Sequence, residues 1–166
     1  MNTAAVILLA ALIPSQDTGA TKAPKSEHQH KVDQDGDKTM GFSHEKTTHH
    51  FVLRSTGGVI QVEANSASDI ESRDQIQKHL GHIASMFAEG NFNAPMLVHG
   101  VTPPGTAMMT RLKTEIRYAY EATGKGARVV IATNDKEALS AVHEFLRFQI
   151  KDHGTGDSLT IEPKKP

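Results

Sequence analysis

The sequence predicts an α+β fold: a two-layer sandwich in the order ββα(β)αβα, with three helices on one face of a small mixed sheet. Three observations predict it. Two β-rich runs, His49-His50-Phe51-Val52-Leu53-Arg54 and Val59-Ile60-Gln61-Val62-Glu63, flank Ser55-Thr56-Gly57-Gly58 and read as a hairpin with a Gly-Gly loop. Ile76, Leu80, Ile83 and Phe87 recur at spacings of 4, 3 and 4, which marks one apolar stripe of a helix. Arg128-Val129-Val130-Ile131-Ala132 is a short apolar strand, followed by the helical stripe Leu139, Val142, Leu146 and Ile150.

Taken in order, residues 1–13 are apolar apart from Asn2 and Thr3, and are too few for the roughly 20 residues of a membrane span. With Thr18-Gly19-Ala20 as a small-residue cleavage site, residues 1–20 read as a secretory signal peptide, although no Lys or Arg precedes Lys22. The mature chain is then periplasmic or secreted, with no stable membrane insertion after cleavage. The alternative is translation from Met40, which gives a cytoplasmic product. Residues 21–46 read as a disordered polar linker. Inside it, Asp33-x-Asp35-Gly36-Asp37 looks like the opening of a calcium loop. Lys38 stands where that loop needs Gly and His44 where it needs Glu, so it reads as a solvated acidic turn. His28-Gln29-His30 reads as part of the same solvated segment.

The folded domain spans residues 47–153. On the first strand His49, Phe51 and Leu53 share one face, and His50, Val52 and Arg54 the other, so the two histidines cannot chelate one ion from one side. Asn65, Ser66 or Ser68 caps the next helix, with Asp69 and Glu71 in its first turn. That helix ends at Glu89-Gly90-Asn91. Ala94-Pro95-Met96-Leu97-Val98-His99 reads as an extended segment, either a fourth strand or irregular, before the Pro103-Pro104-Gly105 turn. Met108, Met109, Leu112, Ile116, Ala119 and Thr123 then fit one face of a helix of about four turns. Thr123-Gly124-Lys125-Gly126 follows a helix and precedes a strand, the reverse of a phosphate loop, and reads as a helix end. In the last helix His143 lies within the core stripe, as a satisfied core residue or, if it faces His49, as a partner in a site. Phe145 and Phe148 fall on the opposite side, which reads as a homodimer surface or one covered by residues 155–162. Residues 154–166 form a polar tail, with a short strand at 158–162.

The 166 residues, 37% hydrophobic with net charge −1, suffice for one core. The charge balance and 5% aromatic content argue against a nucleic-acid surface. The absence of Cys excludes disulfides, thiolate zinc sites and Cys nucleophiles. Ten His is high for the length and points to metal or proton chemistry.

Met40-Gly41-Phe42, Lys46-Thr47-Thr48-His49-His50-Phe51, Ser72-Arg73-Asp74-Gln75-Ile76 and His143-Glu144-Phe145-Leu146-Arg147-Phe148-Gln149-Ile150-x-x-His153 resemble a group of small uncharacterised bacterial proteins. The resemblance covers about residues 40–157. It implies a small bacterial accessory protein and no particular activity.

Functional candidates concentrate between Gln75 and Met109. His79, His82 and Met86 share a flank of the helix, at spacings that bring side chains to about 5–6 Å at Cβ. Met96 and His99 could fold back and complete a metal site, with His49, His50 and His143 as outer candidates. Imidazole and thioether without thiolate favour copper, with zinc as the alternative. The expected function is therefore an exported metal-binding protein for binding, buffering or delivery. A non-catalytic interaction domain with incidental His and Met is the second reading. A metal-dependent hydrolase is the third, with His-Glu-x-x-His and Gly-x-Ser-x-Gly both absent.

Overall fold

Strand β1 (Thr47–Arg54) turns through Ser55 and Thr56 into β2 (Gly57–Ala64), and β3 (Ile116–Ala122) turns into β4 (Gly126–Thr133). The two hairpins join through β2 and β4 into one antiparallel sheet, ordered β1-β2-β4-β3. The structure, a computed structural model, describes residues 26–162. The signal-peptide reading of residues 1–20 lies outside the described residues, as do residues 21–25 and 163–166.

The helices are α1 (Glu27–Met40), α2 (Ile70–Ala88), α3 (Asn93–His99), α4 (Thr106–Arg111) and α5 (Lys136–His153), with a 3-10 turn at Lys113–Glu115. The architecture is α+β, as expected, with two more helices and one more strand than the basic order allows. The sheet is wholly antiparallel, where a mixed sheet was expected. Helix α2 packs over β3 and β4, and α5 over β1 and β2. Their apolar stripes meet the inward residues of the strands. Leu53, Ile76, Val129, Val142 and Leu146 have no exposed surface. Burying each such side chain contributes about 1.5–3 kcal/mol. No helix of the described residues is long and apolar enough to cross a membrane.

Gly57 and Gly58 belong to β2, paired with Arg54 and Leu53, rather than to the loop. Packing explains them. A Cβ at Gly57 would lie 2.0 Å from Ile131 O, and one at Gly58 would lie 2.2 Å from Leu146 Cδ1. The glycines let β4 and α5 approach the hairpin closely.

Three segments differ from the sequence expectation. Residues 27–40, read as linker, form α1. A capping box starts it: Ser26 Oγ accepts from Gln29 N–H, while Gln29 Oε1 accepts from Ser26 N–H. Gly41 ends it in the left-handed conformation. Val32 and Gly36 face inward, and a Cβ at Gly36 would approach Val98 of α3. Residues 93–99, read as extended, form α3, because Pro95 sits in the first turn, where no intrahelical N–H donor is needed. The helix expected at 108–123 stops at Arg111, and 116–122 is β3. Ile116, Tyr118 and Tyr120 alternate with Arg117, Ala119 and Glu121, which fits a strand as well as a helix. Pairing with β4 decides between them.

Phe145, expected on an outer face, is 1% exposed and packs edge-to-face on Phe87. Phe148 is half-buried, with its ring against His99. Phe145 therefore belongs to the core, and of the two only Phe148 keeps part of its ring at the surface. Helix α5 buries both flanks because the sheet lies on one side and α1, α3 and α4 border the other.

Candidate functional site

One cavity brings together histidines from four elements. His49 comes from β1, His79 from α2, His99 from α3 and His153 from the last turn of α5. The cavity measures about 70 Å³, room for a few water-sized groups. Apart from Thr39 and Gln149 its walls are otherwise apolar, with Phe51, Leu80, Phe87, Val98 and Phe145 among them, and Met40 brings a thioether from α1. On α5, Phe145, Gln149 and His153 follow one another at intervals of four and so form one stripe facing the cavity.

The rings contact one another. His153 stacks on His49 with centroids 5.4 Å apart and planes 8° apart, and meets His99 edge-on at 4.9 Å. Phe42 lies against both His49 (6.0 Å) and His79 (5.6 Å). Burial pushes His49 down to about 4, helped by the neighbouring His79 and His50. Burial also pushes His79 down to about 4, with His82 adding to it. His153 is held well below the usual imidazole range by burial and by His49 and His99. These three imidazoles are neutral at pH 7, with nitrogen lone pairs available to a ligand.

His99 is held differently. Its Nδ1 donates to Asp152 Oδ2 at 2.5 Å, and its Nε2 lies 2.9 Å from Gln149 Oε1. Asp152 Oδ1 accepts from His28 Nε2 of α1 at 2.8 Å. The carboxylate thus ties α1, α3 and α5 together at one side of the cavity.

Two polar atoms of the cavity are buried without a hydrogen-bond partner, His49 Nε2 and Gln149 Nε2. An unpartnered buried polar atom costs about 1–3 kcal/mol, so a water or another small polar group bound beside His49 Nε2 would offset that cost. An adjoining polar cleft of about 160 Å³ shares Met40, His49 and His153 with the cavity. Asp33, His44 and Thr155 also line this cleft, beside the two stacked rings.

The ligands expected from sequence separate. His79 and His99 reach the cavity, joined by the outer candidate His49. His82 is exposed, and Met86 is half-buried against the core. Met96 is 38% exposed and lines a different cavity with Asn93 and Thr106. His50 faces outward, with Nδ1 2.9 Å from Asp157 Oδ1. His143 Nε2 lies 2.9 Å from Arg54 O and 3.1 Å from Gly57 O, a satisfied core residue closing the β1–β2 turn. Sequence reasoning passed over His153 as a member, and over Gln149 and Asp152. Their signal was the spacing of Phe145, Gln149 and His153.

Among the described residues no three His, Asp or Glu side chains are already gathered round one point as a metal site. Comparison with protein-family models, with curated proteins and with solved structures finds no match to this chain.

Proposed function

We propose that the protein binds a transition-metal ion at the His49, His79, His99 and His153 cluster, as an exported protein for metal binding, buffering or delivery. One observation carries the reading: three imidazoles that burial keeps neutral, one of them with its Nε2 buried and unpartnered among the described residues, line one cavity beside a fourth that a carboxylate orients. Neutral imidazole is the ligating form, so an ion entering at pH 7 displaces no proton from these three rings. The Asp152–His99 pair resembles the carboxylate–histidine arrangement that fixes a metal ligand's ring. Copper is the first choice, because imidazole with a thioether such as Met40 suits it and because it leads the affinity series of divalent metals; zinc is the second. Binding requires the rings to rotate inward, with Phe42 yielding between His49 and His79 and His99 Nε2 leaving Gln149.

A second reading rests on Gln149. Its amide keeps one polar atom that His99 does not engage, so it suits a small molecule with one polar group in an apolar body.

The test is equilibrium dialysis of the full chain against copper(II) or zinc(II), followed by a weak chelator and elemental analysis. We expect about one retained equivalent. A His79→Ala/His153→Ala double variant that keeps its circular dichroism should lose it, whereas His82→Ala and Met96→Ala should not. No retention by the wild type overturns metal binding. Loss on His82→Ala or Met96→Ala, with retention in the double variant, moves the site to the outer flank of α2.

A further inference from the structure

The two edges of the sheet are treated differently. On β1 the C-terminal segment covers the edge: Asp157 Oδ2 accepts from Phe51 N–H at 2.8 Å, and Glu162 N–H donates to Leu53 O at 2.8 Å. On β3 no described segment pairs with the outer side. An open seven-residue edge is a template for another strand.

We propose that a second copy of this chain occupies it, β3 against β3, antiparallel and centred on Ala119, so that the two sheets become one. The backbone supports that register. Thr123 N–H donates to Gly126 O at 2.9 Å, and the pairing continues through Ala122 opposite Ala127. Hydrogen-bonded positions alternate along an antiparallel pair, so Arg117, Ala119 and Glu121 turn their backbone groups towards β4. Ile116, Tyr118, Tyr120 and Ala122 turn theirs outward. Centring on Ala119 sets Tyr118 opposite Tyr120 of the other copy and Ile116 opposite Ala122, so outward groups meet outward groups along the whole strand.

The charges select the same register. Arg117 comes opposite Glu121 of the other copy, twice by symmetry. Arg117 is exposed and has no ion pair among the described residues. Glu121 Oε2 already accepts from Arg128 Nε on β4 at 2.7 Å, so each Glu121 would sit between two arginines. Moving the centre to Tyr118 would set Glu121 against Glu115. Opposite charges across strands stabilise a pair and like charges oppose it. The interface is isologous, as a twofold dimer requires.

Sedimentation velocity on the full chain tests this. We expect a species of twice the 18.0 kDa chain mass. Arg117→Glu places glutamates opposite each other, Glu121→Arg places arginines opposite each other, and each variant alone should associate at least about tenfold more weakly. Mixed one to one, the two variants should pair, because every cross-strand contact is then of opposite charge. Tyr120→Pro removes an outward N–H without breaking a bond to β4, and should give a folded monomer. A wild type that stays monomeric at about 100 µM overturns the proposal. So does a dimer unaffected by Tyr120→Pro. Failure of the mixed variants to pair overturns the register.

Discussion

Six of the ten histidines fall into two sets of three that differ in surroundings. His28, His44 and His50 stand at the surface, each against a carboxylate: Asp152, Asp37 and Asp157. His49, His79 and His153 line the cavity, and among the described residues no carboxylate is hydrogen-bonded to them, although Asp33 is near enough to favour the charged form of His49. The outer rings exchange water for one polar contact and are easily replaced. His49 Nε2 gives up water without gaining a hydrogen bond among the described residues, a cost that packing alone does not require of a cavity wall. Leu or Phe would fill the same volume more cheaply. That difference, more than the number of histidines, is what the proposed binding site rests on.

The largest expected effect breaks the comparison by pH. In the unfolded chain His49 titrates near its ordinary value of 6.5, and in the folded protein near 4. Between these values the unfolded state binds the proton and the folded state does not. Stability from this group is therefore full above pH 6.5 and is lost as pH falls towards 4, about 3 kcal/mol in all. His79 adds to the loss over the same window. Urea midpoints of the metal-free protein should fall steadily from pH 7 to pH 4.5. His49→Phe should flatten that slope, whereas His50→Phe should leave it steep. A slope that ignores His49→Phe would show that the inner rings are not the groups held neutral.

Asp152 belongs to both sets, since it joins the exposed His28 to the buried His99. Asp152→Ala removes the acceptor of a ring whose side chain is 1% exposed. We expect a loss of about 2–3 kcal/mol, read from the urea midpoint at pH 7. His28→Ala, which removes only the exposed partner, should cost well under half of that. Equal costs would mean that α1 docking, rather than the His99 contact, is what Asp152 supplies.

Parts of this arrangement were readable in the chain before folding. The β1–β2 hairpin, α2, β4 and α5 carry strong periodicity over their whole length, and the structure contains all four. Residues 116–122 satisfy a period of 3.6 and a period of 2 together, and only the strand next to them settles the matter. Helix α1 has just Val32 and Gly36 inside, too little for a stripe, although Ser26 and Gln29 form its capping box. His79 and His99 stood out as candidates, but their meeting depends on the path of residues 90–99, which no periodicity describes. His153 lies at the end of the Leu139–Ile150 stripe, which by itself gives it no place in a site. Its role comes from a second stripe, Phe145–Gln149–His153, on a helix buried on both flanks.

The smallest expected effect sharpens the contrast from the outer side. His50 is half-exposed, and its ring meets Asp157 at 2.9 Å. Asp157 also accepts from Phe51 N–H and from Thr155 Oγ1. Burial works against its charged form, yet these donors together hold its carboxyl below the usual range. His50→Ala therefore leaves Asp157 with two donors and the β1 edge still covered. A change below about 1 kcal/mol in the urea midpoint is expected, which is the ordinary value of an exposed pair. Asp157→Ala removes all three contacts at once and uncovers Phe51 N–H, so it should cost more than His50→Ala by a margin the same titration resolves. If the two variants cost the same, the imidazole rather than the strand edge is what Asp157 serves, and the outer histidines contribute more than their exposure suggests.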